Sequence, residues 1–433
     1  MKKLVSISIA CAAFATALTA NTKSDLAALE SKLMHISEEL ASLKNQNKKH
    51  DIVIERKKSP EFLLGKETAI NMKFKAQDDK SMWLKAGVRV QGSFEDKKTD
   101  YLDDSKTDKR LQDAYLRRVR FEVAAGFGKH TSFVMDIRND KANYQDKGEG
   151  KFNVGDAYLK IKKPFDTSLV NFKLYRAKID ISRTETVKSA RVIMYDRPKV
   201  ADAAAQFITE NRRATNVQMY GDWNKKLHYQ VALGDATASG HSVDARGDKL
   251  EGSIKDQRFF YGGKIRLSPF DGWEETKRTE SYFGEGKHFS LGVGYWKADN
   301  IVYSTKDMTD HTLINYELSA HYYNAFVQAE YFDFDGVVEA WGSEKTGKST
   351  GWYVSGEYVI PSLGYIAPFF RYEKWDKLKD TNGYEYSSKV AGMNWYLRGN
   401  TTKVGFLVQK DTYGEEIGNK ETTAFRVTSQ WFF

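Results

Sequence analysis

From Trp83 to Phe433 the chain keeps a period of two. WLKAGVRVQGSF puts Leu84, Ala86, Val88, Val90 and Phe94 on one face and Lys85, Arg89, Gln91 and Ser93 on the other. Side chains alternate across an extended strand, so such a segment has one apolar and one wet face. FYGGKIRLS and LINYELSAHYY repeat the pattern. Sixteen segments are read this way: 83–94, 112–124, 130–139, 153–162, 171–178, 213–223, 227–235, 257–268, 287–297, 311–323, 325–334, 350–360, 364–374, 386–397, 401–411 and 421–433. Each is near the length that a tilted membrane strand requires. Two folds fit this pattern: a soluble sandwich with its arginines outside, and a membrane barrel with its arginines around a wet lumen.

The connections separate the two. GFGK at 126–129, NKK at 224–226, the Tyr323–Asn324 corner, PSL at 361–363 and RGN at 398–400 are short turns, and longer polar loops follow the odd segments. Turns on one rim and loops on the other mark an outer-membrane barrel. One connection, 269–287, is too long for an ordinary turn. In YLRRVRFEV, Leu116, Arg118, Arg120 and Glu122 are expected on the lumen face, with Val119, Phe121 and Val123 outside. Arg117 falls among the outward residues, where it is expected to snorkel to head groups at the rim.

A mean hydropathy of −0.60 does not oppose this fold, because only every second residue of a barrel strand meets lipid. After the first twenty residues no apolar run reaches the roughly 18 residues of a spanning helix. Residues 1–20, MKKLVSISIACAAFATALTA, read as a secretory signal cleaved after Ala17 or Ala20. Its removal takes the only cysteine, Cys11, and with Lys2 and Lys3 lowers the formal charge from +9 to 9 − 2 = +7. The exported chain then relies on no disulfide. The expected destination is the bacterial outer membrane, reached through the barrel assembly machinery and bounded by lipid.

Leu26, Leu29, Leu33, Ile36, Leu40 and Leu43 are spaced 3, 4, 3, 4, 3, an a/d heptad seam. So narrow a stripe points to self-association, and leucine at every a position leans to a trimer. Residues 21–44 are expected as a periplasmic coiled coil and 45–80 as a polar linker, whose one apolar cluster is FLLG at 62–65. Cell-wall contact through the coil is a further expectation. The terminal TSQWFF, with Phe425, Val427, Trp431 and Phe433 on one face, is similar to the sorting signal of outer-membrane barrels.

YLRRVRFEVAAGFGK, DAYLKI at 156–161, LYRAKIDISRTETVKSARVIMYDRP at 174–198, IRLSPF at 265–270, YNAFVQAEYFDFDG at 323–336, GWYVSGEY at 351–358 and AGMNWYLRGN at 391–400 follow in order. In these motifs and their spacing, the chain from about residue 83 to 433 resembles the phosphate-selective porin O and P family. The resemblance implies an all-β, sixteen-stranded trimeric porin with a loop folded into the pore. Phosphate selectivity does not follow from it, because the family is broader than that activity.

The long connection at 179–212 is the expected constriction, and its stretches VIMY and ADAAAQFI are expected to pack against something. It carries Arg183, Lys188, Arg191, Arg197, Lys199 and Arg212 against Asp180, Glu185, Asp196, Asp202 and Glu210, so its charge nearly cancels. The strands add Lys85, Arg89, Arg118, Arg120, Arg138, Lys160, Arg176, Lys178, Lys264, Arg266 and Arg371, against fewer acids such as Glu122, Asp136, Glu317, Glu330 and Glu357. Guanidinium forks suit phosphate and carboxylate permeants. The same arginines can instead stitch to the acids or to the inserted loop.

GSEKTGKS at 342–349 fits a phosphate-binding loop but runs into a period-two strand instead of a helix, and FDFDG from Phe332 lacks the remaining spacing of a calcium loop. No catalytic residues, metal or cofactor are expected, nor nucleic acid as a partner. A barrel enzyme would need a serine and a histidine held together, but the eight histidines are scattered and G-x-S-x-G is absent. Small anions are the expected permeants. A general diffusion porin and an envelope anchor acting through the coil are the alternatives.

Overall fold

The computed structural model describes residues 61–66, 72–76, 81–146, 148, 150–209, 212–236, 244–247, 254–256, 258–269, 279–303, 308–339 and 346–432. The signal and the heptad seam lie outside them. Sixteen strands make the wall: β1 Trp83–Tyr101, β2 Lys109–Phe127, β3 Thr131–Ala142, β4 Asn153–Lys162, β5 Asn171–Arg176, β6 Thr215–Trp223, β7 Leu227–Asp235, β8 Phe259–Leu267, β9 Lys287–Tyr303, β10 Met308–Tyr322, β11 Ala325–Val338, β12 Thr346–Tyr358, β13 Ile366–Asp376, β14 Glu385–Asn400, β15 Thr402–Tyr413 and β16 Lys420–Phe432. Each pairs antiparallel with its neighbour in sequence. β16 closes the ring on β1, with Gln430 opposite Gln91 and Lys420 opposite Tyr101. Closure leaves no free sheet edge, which is what a strand wall in lipid requires.

Short turns at 128–130, 224–226 and 323–324 gather on one rim, while 102–108, 177–214 and 377–384 lie on the other. Leu84, Phe94, Phe121, Val231, Ile265, Val293, Trp352 and Phe425 point outward and are exposed. The apolar core lies inside the ring instead of around it.

One expectation needs correction. Between Gln91–Arg118 and Gly92–Leu116 the pairing of β1 and β2 slips by one residue, and the extra residue is Arg117. A bulge of this kind reverses the alternation beyond it. Leu116 therefore turns outward and is 40% exposed, while Arg117 turns into the lumen and pairs with Asp196 at 2.7 Å. Arg117 does not snorkel to the rim. The connection between β8 and β9 is, as expected, too long for an ordinary turn. It is long because its end, 279–285, folds up inside the barrel, where Glu280, Ser281 and Tyr282 are buried.

Part of the stretch expected as a linker belongs to the wall, and another part forms a separate two-stranded sheet. Met72–Lys75 pairs with the start of β1. Glu61–Phe62 and Gly65–Lys66 form a small hairpin, with Phe62 buried. The phosphate-loop match is already strand from Thr346 onward.

Candidate functional site: the inserted loop and the wall it leaves open

The connection 177–214 enters the lumen and crosses it. Its first turn, α1 Arg183–Thr186, is capped by Ser182, whose Oγ accepts the Glu185 N–H at 3.4 Å. The second, α2 Lys199–Phe207, reads KVADAAAQF, and alanine is the strongest helix former. Val200, Ala201, Ala204 and Ile208 bury one side of it against Phe260, Trp296, Leu313, Phe332, Phe334 and Tyr353, which are inward side chains of β8 to β12. Gly351 leaves room for α2, since a Cβ there would stand 2.6 Å from Val200 Cγ2. Gly351→Val is expected to push α2 off the wall at about 1–3 kcal/mol, the range for overpacking. Single-channel conductance and thermal unfolding would register it; unchanged values in both would contradict this packing.

Strand carboxylates receive the loop on that side. Glu330 accepts Ser182 Oγ at 3.0 Å, the backbone N–H groups of Arg183 and Thr184 at 3.2 Å each, Asn315 Nδ2 at 3.3 Å and the Tyr353 hydroxyl. Glu373 accepts the Val200 N–H at 2.6 Å, at the start of α2. Asp180 pairs with Arg266 at 3.2 Å, and Glu317 binds both Lys264 and Arg266.

Between the two helices the loop has no regular structure, so its buried carbonyls need partners from elsewhere. The strands supply them almost residue by residue. Gln91 Nε2 donates to the Ser189 carbonyl at 3.2 Å, Gln430 Nε2 to Ala190 at 3.0 Å, and Lys403 Nζ to Val192 at 2.5 Å. Asn394 Nδ2 donates to Ile193 at 3.0 Å, Arg118 Nη1 to Tyr195 at 2.9 Å, and Arg371 Nη1 to Asp196 at 2.7 Å. Arg89 Nη1 reaches Ser189 Oγ at 2.6 Å. Burial alone would raise the Asp196 carboxyl, but Arg117, Arg426 and Arg118 outweigh it and hold it well below the usual range.

The turn-side segment props the same stretch from below. The Glu280 N–H donates to the Arg191 carbonyl at 3.0 Å, and its carboxylate accepts the Ile193 N–H at 2.8 Å and Thr184 Oγ1 at 3.0 Å. Arg183 Nη2 donates to the Thr279 carbonyl at 2.9 Å.

The expected basic residues thus fall into two groups. Arg89, Arg118, Arg120, Lys264, Arg266 and Arg371 face inward but are almost wholly covered; Arg120 meets Asp140 at 3.1 Å. From the loop, Arg183 is buried, and Arg197 is held by the Thr184 and Val187 carbonyls at 2.8 and 2.9 Å. Lys178 Nζ donates to the Glu185 carbonyl at 2.8 Å, and burial, with Arg197 and Arg213 nearby, pulls its ammonium well below the ordinary lysine value. Arg176 Nε donates to the Gly155 carbonyl at 3.1 Å. Lys85, Arg138 and Lys160 are half-buried on the β1–β4 side. Lys188 is 61% exposed and meets Glu122 at 3.1 Å, and Arg191 is exposed.

The sequence reading passed over Lys173, Arg213, Lys403 and Arg426 and placed Arg117 on the wrong face. Parity along β15 and β16 places Lys403 and Arg426 inward and would have found them, whereas Lys173, opposite the buried Gln218, has the parity opposite to the one expected from Arg176 and Lys178. Arg213 precedes its strand and pairs with Asp156 at 2.5 Å, which no periodicity reveals.

No family model matches the chain, and neither does any curated protein. Solved structures do match in fold. The anion-selective porin of Comamonas acidovorans is 11% identical, with 81% of this chain and 100% of that one aligned at a TM-score of 0.52. The outer membrane channel DcaP of Acinetobacter baumannii is 13% identical, covering 83% and 99%, with a TM-score of 0.55. OprB of Pseudomonas putida is 11% identical, covering 81% and 94%, with a TM-score of 0.54. At such low identity the likeness is one of architecture: this chain closes the same kind of barrel as those outer-membrane proteins.

Proposed function

We propose that the protein is an outer-membrane porin, a water-filled channel for passive diffusion of small solutes that favours anions. The observation that carries this is the division of the inward basic side chains into those that clamp the inserted loop and those left open. The inserted loop is held by carboxylates of β11 and β13 and by side-chain donors of β1, β2 and β13 to β16, whereas Lys85, Arg138 and Lys160 on β1, β3 and β4 and Lys188 and Arg191 on the loop stay half-buried or exposed. Fixed positive charge in a narrow wet passage favours anion entry. Phosphate and small carboxylates are the permeants whose charge suits this lining, in keeping with the resemblance to phosphate-selective porins. The covered arginines act as clamps that shape the passage, and Lys188 and Arg191 stand where it is narrowest.

The short turns would face the periplasm and the long loops the outside. The heptad seam would join three copies below the membrane. Liposomes carrying the purified protein should swell in isotonic solutions of small sugars and salts at rates that fall with solute size. Swelling no faster than in protein-free liposomes would defeat the channel reading and leave the envelope anchor.

A further inference from the structure

The cluster FLLG stands out in the sequence as the one apolar island of a polar stretch, and the channel reading gives it no role. Phe62 is buried on the turn-facing rim, in a pocket made by Phe283, Val359, Tyr365, Ala367 and Tyr396. Its ring lies 4.4 Å from that of Tyr365 and meets Phe283 edge-on at 5.1 Å. The Leu64 N–H donates to the Leu397 carbonyl near the end of β14 at 2.8 Å. Leu63 and Leu64 remain exposed, so a single side chain is the peg.

The pocket is not an isolated rim feature. The Phe283 ring packs edge-on against Tyr396 at 4.8 Å, and the Tyr396 hydroxyl lies 2.6 Å from both Glu357 Oε1 and Ser281 Oγ. Ser281 follows Glu280, which holds the backbone of Arg191 and Ile193. An unbroken chain of contacts therefore runs from Phe62 to the middle of the inserted loop.

We infer that the Phe62 pocket is an intramolecular docking site that ties the segment preceding the barrel to its turn-facing rim and, through Phe283 and Glu280, steadies the constriction. The inference rests on the channel reading above. Its physical basis is that a buried aromatic peg fixes Phe283, Phe283 fixes the short inward segment, and that segment carries hydrogen bonds which the irregular loop backbone cannot obtain from its own residues. A load or a partner acting on the N-terminal segment would then reach the pore.

The test uses the full-length protein in planar bilayers. Phe62→Ala should raise the frequency of brief closures about two- to thirtyfold, the change that a coupling of ~0.5–2 kcal/mol produces, and Phe62→Tyr should restore most of the wild-type behaviour. Glu280→Gln should raise closures as well, and the double variant should add less than the sum of the two, because both act on one path. Separately, Phe62→Cys with Tyr365→Cys should be joined by a short thiol crosslinker in the native protein, with Cys11 the only other cysteine. A conducting wild type whose Phe62→Ala and Phe283→Ala variants gate identically to it would overturn the coupling. Failure to crosslink would overturn the docking. If the wild type forms no channel at all, the channel reading falls and the coupling with it, while the crosslink still reports on docking.

Discussion

Glu330→Ala is expected to unseat the inserted loop. The side chain is 2% exposed and is the shared acceptor for Ser182 Oγ, two backbone N–H groups of α1, Asn315 and Tyr353. Removing it leaves those donors buried without their acceptor, at a cost of about 1–3 kcal/mol for each donor that finds no substitute. The barrel itself should survive, since its strand ladder is untouched. Single-channel recordings should show larger and noisier conductance as the loop leaves the lumen, and thermal unfolding should start earlier. Glu330→Gln, which keeps one carbonyl acceptor, should fall between. Wild-type conductance and noise in Glu330→Ala would contradict the role given to this carboxylate.

Asp196→Ala acts on the opposite side of the loop. Asp196 joins Arg117 at 2.7 Å and Arg426 at 3.3 Å, so its loss takes the paired carboxylate from Arg117 and leaves Arg426 with Glu95 at 2.9 Å. A fully buried broken pair costs about 3–5 kcal/mol, but Asp196 keeps a third of its side chain open, and about 1–3 kcal/mol is the fitting range. The pH dependence has a definite sign. A carboxyl held below its unfolded value stabilises docking in full above that value, and the contribution fades as pH falls through the folded one. Wild-type conductance should therefore stay level at pH 5 and drift only below about pH 4, whereas Asp196→Ala should be noisy at neutral pH. A wild-type change centred near pH 6 would point to other groups.

How much of this the sequence shows depends on where the forces are local. Alternation along single strands reveals their faces, because the period comes from backbone geometry alone; WLKAGVRVQGSF and LINYELSAHYY read correctly from the letters. The bulge at Arg117 is not legible, since it arises from a register between β1 and β2 that neither strand states by itself. Similarly, DISRTETVKSARVIMYD signals that something packs there, through its uncharged VIMY, but not that Lys403, Asn394 and Gln430 would serve its carbonyls. Those partners come from strands more than 200 residues away. The length of 269–287 was a usable clue, because a turn of that size must go somewhere; its inward path depends on Glu280 meeting the loop. The division of arginines into covered clamps and open lining is likewise a property of the inserted loop and not of any strand.

Reversal potential in a salt gradient tests the central claim most directly, because it reads the sign of the charge that a permeating ion meets. With purified protein in a planar bilayer and a tenfold potassium chloride gradient, the wild type should give the sign of anion preference. Replacing the exposed pair, Lys188→Glu with Arg191→Glu, should shift the potential toward cations more than replacing the covered Arg118 and Arg120 by glutamine. A wild-type potential of zero or of cation sign, or a larger shift in selectivity from Arg118 and Arg120 than from Lys188 and Arg191, would contradict the account.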